Sequence, residues 1–332
     1  MIPLSLPEQI RLALFVLAIL SVCGLEVVVL ARAARHRLRR RPGRSIFFAR
    51  PAIVGHILVT IIFLCLLYGR FIEPRWIDVH VTTLPTPQLK EAGFRIVQIS
   101  DLHCDATALN EERTVRIINA LRPDIVVATG DYLNSARGLP RLRQTLAQLE
   151  APLGKFAVTG NFEVRHWRQP GMLDGTGFRV LDRETAVVTK GADAIAITGM
   201  GFVRADSPYE PVEGFSDDRF DVFLFHTPDL VEDLRDRGID LYLCGHTHGG
   251  QIALPLYGAL ITFSKFGKKY ESGRYQVGGT TLYVNRGLGM EPRPAPQMRF
   301  CARPEIAVFD ILPKTDDEGK KVGRQEGRQG RT

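Results

Sequence analysis

Short apolar runs rich in β-branched residues recur along this chain, and most of them stop at a polar or glycine-bearing cluster. "FRIVQIS" stops at Asp101, "DIVVAT" at Gly130 and Asp131, "KFAVT" at Gly160 and Asn161, "DVFLF" at His226 and "DLYLC" at Gly245 and His246. "AIAIT", "TTLYV" and "EIAVFDI" extend the series. Runs of this length and composition read as strands. Between several of them lie helix-like stretches. "LNEERTVRIINALR" puts Val115, Ile118 and Leu121 on one face, and "TPDLVEDLRDRG" has Thr227 as N-cap, Pro228 at the first helical position and Gly238 as a stop. Strands alternating with helices predict an α/β domain with its site at the carboxyl ends of the strands.

The polar residues that follow the strands are chemically coherent. They are Asp101 and His103 in "ISDLH", Asp131 in "ATGDY", Asn161 in "TGNFE", His226 in "LFHTP", and His246 and His248 in "CGHTH". Strand ends in one sheet converge on one edge, so these groups are expected to share a site. Imidazole and carboxylate oxygen together suit divalent manganese, iron or zinc, and a carboxylate can bridge two such ions. Glycines before Asp131, Asn161 and His246 permit the sharp turn that swings each side chain onto its strand end. The two-residue spacing of His246 and His248 is the repeat of an extended chain, which predicts that both imidazoles face the same way.

The N-terminal part is of another kind. One apolar block covers about residues 12–31, broken only by Glu26, and a second covers residues 53–69 with His56 near its start. At ~1.5 Å per residue each is long enough to cross a hydrocarbon core of roughly 30 Å. Positive charge follows the first block rather than preceding it, which predicts a retained anchor and not a cleaved signal. Between the blocks stand Arg32, Arg35, Arg37, Arg39, Arg40, Arg41, Arg44 and Arg50. Set against a formal charge of +7, these eight leave −1 for the rest of the chain, so the basic pI is no sign of a nucleic-acid partner. A short arginine-rich loop stays cytoplasmic by the positive-inside rule, which sends the larger C-terminal part outward from a bacterial inner membrane. A lipid-headgroup patch beside interfacial helices is the competing reading of the same loop. The five cysteines form no paired or zinc-ribbon framework. The division expected is therefore an anchor over 1–75, a catalytic domain over 76–312, and a disordered tail over 313–332, where apolar residues all but vanish.

D-x-H, G-D, G-N-x-E, a lone His and G-H-x-H, in this order, resemble the calcineurin-like metallophosphoesterases. "GHTHGGQI", "SKFGKKY", "GGTTLYVNRGLG" and "RPEI" are similar to the membrane-associated YaeI- and YkuE-like bacterial branch. The resemblance implies two packed mixed sheets flanked by helices. It also implies two metal ions, one held by Asp101, His103 and His248, the other by Asn161, His226 and His246, with Asp131 bridging. The implied activity is hydrolysis of a phosphodiester or phosphoanhydride bond by metal-activated hydroxide, on a phosphorylated small molecule or lipid. Two alternatives stand beside it: the UDP-2,3-diacylglucosamine pyrophosphatase of lipid A synthesis, and a non-catalytic metal- or phospholipid-binding module. One position departs from the pattern, since Phe162 stands where the family motif carries a histidine that assists the leaving oxygen, and a phenyl ring can neither donate nor accept a proton. Either the leaving group needs little help, or another group such as His166 takes over, or the domain only binds. Lys265, Lys268, Lys269 and Arg299 are candidates to hold an anionic substrate, and a solvated basic face is the preferred reading for the three lysines.

Overall fold

The computed structural model describes residues 4–39, 49–167, 171–202, 214–292 and 295–314. Two helices come first, α1 (Leu6–Leu38) and α2 (Arg50–Leu67). α1 starts ahead of its apolar block because Ser5 and Glu8 form a capping box there, with a proline in the first turn. Both helices are long and apolar enough to cross a membrane, and only 6% and 11% of their apolar windows are buried within the protein. The polar breaks in the two blocks answer each other, for His56 Nδ1 lies 2.5 Å from Glu26 Oε1. Pairing across the helices is how ionisable groups are kept in apolar surroundings. Arg40, Arg41 and Arg44 and the tail beyond Lys314 lie outside the described residues.

The first strands are β1 (Asp78–Thr86), β2 (Phe94–Ile99), β3 (Ile125–Ala128), β4 (Lys155–Ala157) and β5 (Phe178–Val180). Next come β6 (Glu184–Lys190), β7 (Asp193–Gly199), β8 (Phe220–Leu224) and β9 (Leu241–Cys244). A short hairpin of β10 (Ala253–Leu254) and β11 (Gly258–Ala259) precedes β12 (Gly273–Val277), β13 (Thr280–Val284) and β14 (Glu305–Pro313). They build two six-stranded sheets, ordered β1-β14-β2-β3-β4-β5 and β12-β13-β9-β8-β7-β6. Both are mixed: β2 to β5 run parallel with β14 antiparallel to β2, and β7, β8, β9 and β13 run parallel with antiparallel strands at either edge. β14 carries the ordered backbone through Pro313, one residue past the expected end of the domain.

The strands read as unbroken apolar runs because both faces are covered. Phe94 and Ile96 of β2 join Val222, Leu224, Leu241 and Leu243 of β8 and β9 in the core between the sheets. Val97 and Ile99 point the other way, against Ile118 of α3 (Glu111–Leu121) and Leu142 of α4 (Leu139–Ala147). On the second sheet Phe223 and Tyr242 meet Val231 and Leu234 of a helical turn over Val231–Leu234. Burying each such side chain contributes about 1.5–3 kcal/mol. The packing leaves the carboxyl ends of β2, β3, β4, β8 and β9 on one rim, where a short helix, α5 (Asn161–Arg165), begins.

Candidate metal centre

Two clusters occupy this rim. Asp101, His103 and His248 present ligand atoms within 4.8 Å of one another, and Asp131, His226 and His246 do the same. All six residues are buried. Asn161 completes the second group, with Oδ1 3.1 Å from His226 Nε2. Asp131 stands between the two, its Oδ2 3.2 Å from His226 Nε2 and 3.9 Å from His103 Nε2.

The donor set fits a pair of divalent ions, and the outer hydrogen bonds say so. His103 Nδ1 is 2.7 Å from Asn134 Oδ1, His226 Nδ1 is 2.7 Å from the Thr129 carbonyl, and His246 Nε2 is 3.3 Å from the Phe263 carbonyl. Each outer nitrogen therefore donates its proton to an oxygen, which makes the inner nitrogen the one that can ligate a metal once any proton on it is displaced. Inside, His103 Nε2 faces His248 Nε2 at 3.2 Å, and His226 Nε2 faces His246 Nδ1 at 3.1 Å. Asp131 Oδ2 is buried with no hydrogen-bond partner among the described residues. His248 differs, for its Nδ1 accepts from the Arg299 guanidinium at 3.2 Å. Ring nitrogens that converge in buried pairs beside a carboxylate are costly unless protons or a metal cation complete them.

The electrostatics agree. Burial opposes ionisation of Asp131, yet His226 and His103 hold its carboxyl below the usual range. Burial alone would depress His226, but Asp131 and Asp101 pull it up to about 10. Burial and the charge of His226 keep His246 low, and burial lowers His103. The carboxylates thus demand positive charge, and without a metal one histidine must supply it.

The backbone is strained where the ligands sit. Asp101, His103, Asp131, His246 and His248 have φ of 47°, 43°, 54°, 71° and 52°. Non-glycine residues in this region are uncommon and cluster at functional sites. The extended-chain account of His246 and His248 is therefore corrected: the chain coils here, and the two rings go to different clusters. Gly160 and Gly245 serve close approach rather than a turn of the backbone. A Cβ on Gly160 would lie 2.2 Å from Asp131 Oδ1, and one on Gly245 2.1 Å from Asp101 Oδ2.

The family model for calcineurin-like phosphoesterase matches residues 94–250. The metallophosphoesterase YkuE of Bacillus subtilis is 37% identical over 262 residues, covering 74% of this chain and 88% of the relative. The chain belongs to the calcineurin-like phosphoesterases. Also similar to this phosphoesterase are the phosphodiesterase YaeI of Escherichia coli and the UDP-2,3-diacylglucosamine pyrophosphatase LpxG of Chlamydia trachomatis. YaeI is 27% identical over 74% of this chain and 92% of its own length. LpxG is 28% identical over 66% and 84%.

The other residues singled out in the sequence fare differently. Phe162 packs edge-on to the His103 ring at 4.9 Å, and His166 is exposed, its ring 5.4 Å from Phe162. Lys265, Lys268 and Lys269 pair with Asp233, Glu271 and Glu232. Arg299 cannot hold an anion for the phosphoesterase. It is fully buried, and its guanidinium is spent on the carbonyls of Arg286, Gly289 and Ala302 and on His248 Nδ1.

Supporting residues escaped the sequence reading. Buried Glu163 accepts the backbone N–H groups of Asp131, Tyr132 and Gly160 at 2.8–2.9 Å, which fixes the bridging loop. Burial and the charge of Asp131 push its carboxyl up to about 7. Arg165, one turn beyond Asn161 on α5, lies over the Phe202 ring, and its buried Nε and Nη1 find no partner among the described residues. A cavity of about 540 Å³ opens beside His103 and Asn134 and reaches Arg70 and Arg75, just past α2.

Proposed function

We propose that this phosphoesterase is a membrane-anchored hydrolase of phosphodiester or phosphoanhydride bonds that works with two divalent ions. Asp101, His103 and His248 would hold one ion and Asn161, His226 and His246 the other, with Asp131 between them. Asp131 Oδ2, buried between His226 Nε2 at 3.2 Å and His103 Nε2 at 3.9 Å and so within reach of both clusters, carries the reading. Bound ions would supply Lewis acidity at the phosphoryl group and a more acidic water. The chain's own residues do the rest. Asn134, Thr129 and the Phe263 carbonyl hold the rings in the ligating tautomer, and Glu163 holds the loop of Asp131 in its strained turn.

Phe162 offers no proton to a leaving oxygen, which favours a leaving group already stable as an anion. The Arg165 donors on the same helix, without a hydrogen-bond partner among the described residues, suit a second phosphate. These features, with a cavity that ends at arginines beside a candidate span, support the diacylglucosamine pyrophosphatase reading over a simple ester. Topology pulls the other way. Arg32, Arg35, Arg37 and Arg39 stand about 45 Å along α1 from its start, and the positive-inside rule turns that end to the cytoplasm and the catalytic domain outward. The test is UMP release from UDP-2,3-diacylglucosamine by the detergent-purified chain with manganese, beside an aryl phosphodiester. Chelator-sensitive UMP release establishes the pyrophosphatase and reverses the topology; cleavage of the ester alone leaves a phosphodiesterase facing outward. No chelator-sensitive turnover of either sinks the enzymatic reading.

A further inference from the structure

The first helix does more than tether. Glu8, in its opening turn, is buried and divides its two carboxylate oxygens between two tasks. Oε2 accepts from the Ser5 N–H and hydroxyl at 3.0 and 2.8 Å, closing the helix start. Oε1 leaves the helix altogether and accepts from the Thr262 N–H at 2.9 Å, the Thr262 hydroxyl at 3.3 Å and the Phe263 N–H at 3.3 Å. Arg11, one turn on, donates to the Leu260 carbonyl at 3.2 Å.

The loop so gripped ends on the metal centre. Phe263 has φ 53°, a conformation a phenylalanine does not hold unaided. Its carbonyl is the acceptor for His246 Nε2, the bond that leaves His246 Nδ1 facing His226. We propose that Glu8 is a positioning residue for the second metal ion: by fixing the peptide of Phe263, it sets the ring orientation and tautomer of His246. The first helix is then part of the support of one ion, while among the described residues none of its side chains bonds the outer partners of the other. Asp101, His103 and His248 take their outer bonds from Ser100, Asn134 and Arg299. Outer partners of this kind change metal affinity by roughly 10–100-fold.

The inference rests on the two-ion reading, and the test separates the two. Manganese binding to the detergent-purified full chain is measured by equilibrium dialysis, with metal content counted by mass spectrometry. Wild-type protein binding fewer than two ions removes the two-ion reading itself. Given two, Glu8→Asp is the informative variant, because it keeps a carboxylate for the helix start but withdraws it by one methylene from the loop. Its weaker site should lose roughly 10–100-fold in affinity while the other stays within about twofold, and Glu8→Gln, which still reaches the loop with a carbonyl, should recover most of the loss. Loss of a folding contact alone would weaken both ions together. Two wild-type affinities in Glu8→Asp, or equal weakening of both ions, overturns the proposal.

Discussion

Asp131→Asn tests the centre at its most informative atom. The substitution is nearly isosteric, and the retained amide oxygen can still accept the Phe162 N–H that Asp131 Oδ1 holds at 2.8 Å. Glu163 still grips the backbone of residues 131 and 132. The fold therefore survives, and what changes is Oδ2, replaced by an NH₂ that points hydrogens at His226 and His103, now 3.2 and 3.9 Å from it. A single pair of unit charges about 4 Å apart is worth about 4 kcal/mol at an effective dielectric of 20. At 1.4 kcal/mol per tenfold, losing that attraction costs each ion at least about a thousandfold in affinity, since a divalent charge doubles it. Metal counting on purified protein should then fall from two ions to none. His103→Ala, which touches one cluster only, should fall from two to one. Hydrolysis at a manganese concentration that only just saturates the wild type should drop by a factor on the order of 10³. An Asp131→Asn protein that keeps both ions, or loses only one, would falsify the bridging role, whatever its turnover.

Further expectations concern the rest of the site. Phe162→His, with its backbone N–H already tied to Asp131, should speed esters with poor leaving groups by tenfold or more and leave activated aryl esters almost unchanged; equal acceleration of both would mean the new imidazole is not an acid. His226 stands at about 10 in the metal-free protein, so a metal must displace its proton at any lower pH. Apparent affinity at that cluster should climb about tenfold per pH unit from pH 6 to 9, and calorimetry in buffers of different ionisation enthalpy at pH 8 should count about one proton released; none released refutes the assignment. Glu163→Ala strands three buried N–H groups and should lower unfolding free energy by about 3 kcal/mol or more in denaturant titration. Chelation should cost about 8 kcal/mol, about 4 per ion, if manganese is present at a thousand times both dissociation constants, a fall in Tm of roughly 16–32 °C for a domain of this size; a melt within about 2 °C of the loaded protein speaks against a bound pair of ions.

The parts of this molecule that were legible in its sequence are those whose signal is local. A strand buried on both faces must be apolar throughout, and a ligand must follow it directly, so β2, β3, β4, β8 and β9 and the residues after them announce themselves within a few positions. β1 did not, because Val79 and Val81 are exposed and the strand exists only by pairing with β14 at the far end of the chain. The extended spacing of His246 and His248 misled for a related reason: left-handed turns at both residues send the rings apart, and nothing in the two letters requires that. Arg299 looks like any surface charge until three backbone carbonyls from a loop folded over it are seen to consume its donors. Glu8 reaches Thr262 across 254 positions. Side chains that touch the reaction are written locally, and those that hold them are written by the fold.

The strain at the site explains why so much fold is needed to hold it. Five residues of the two clusters in the left-handed region cost roughly 1 kcal/mol or more apiece, which sums to an appreciable part of the stability of an ordinary domain. Asp and His bear that conformation better than branched residues, but no local sequence makes it their preference. It persists because opposing parts of the chain fix the same peptides. The Gly130 carbonyl takes the N–H of Asp101, the Asp101 carbonyl takes that of Gly289, and the Asp101 carboxylate takes that of His246 from the other sheet. The Asp101 carboxylate and the His246 backbone are therefore fixed together only once both sheets are packed. A ligand set assembled in this way is rigid, with its donors aimed inward before any ion arrives, and binding energy is not consumed in ordering them. For the two-ion site proposed above, that is the physical reason to build it where two sheets meet rather than on a single loop.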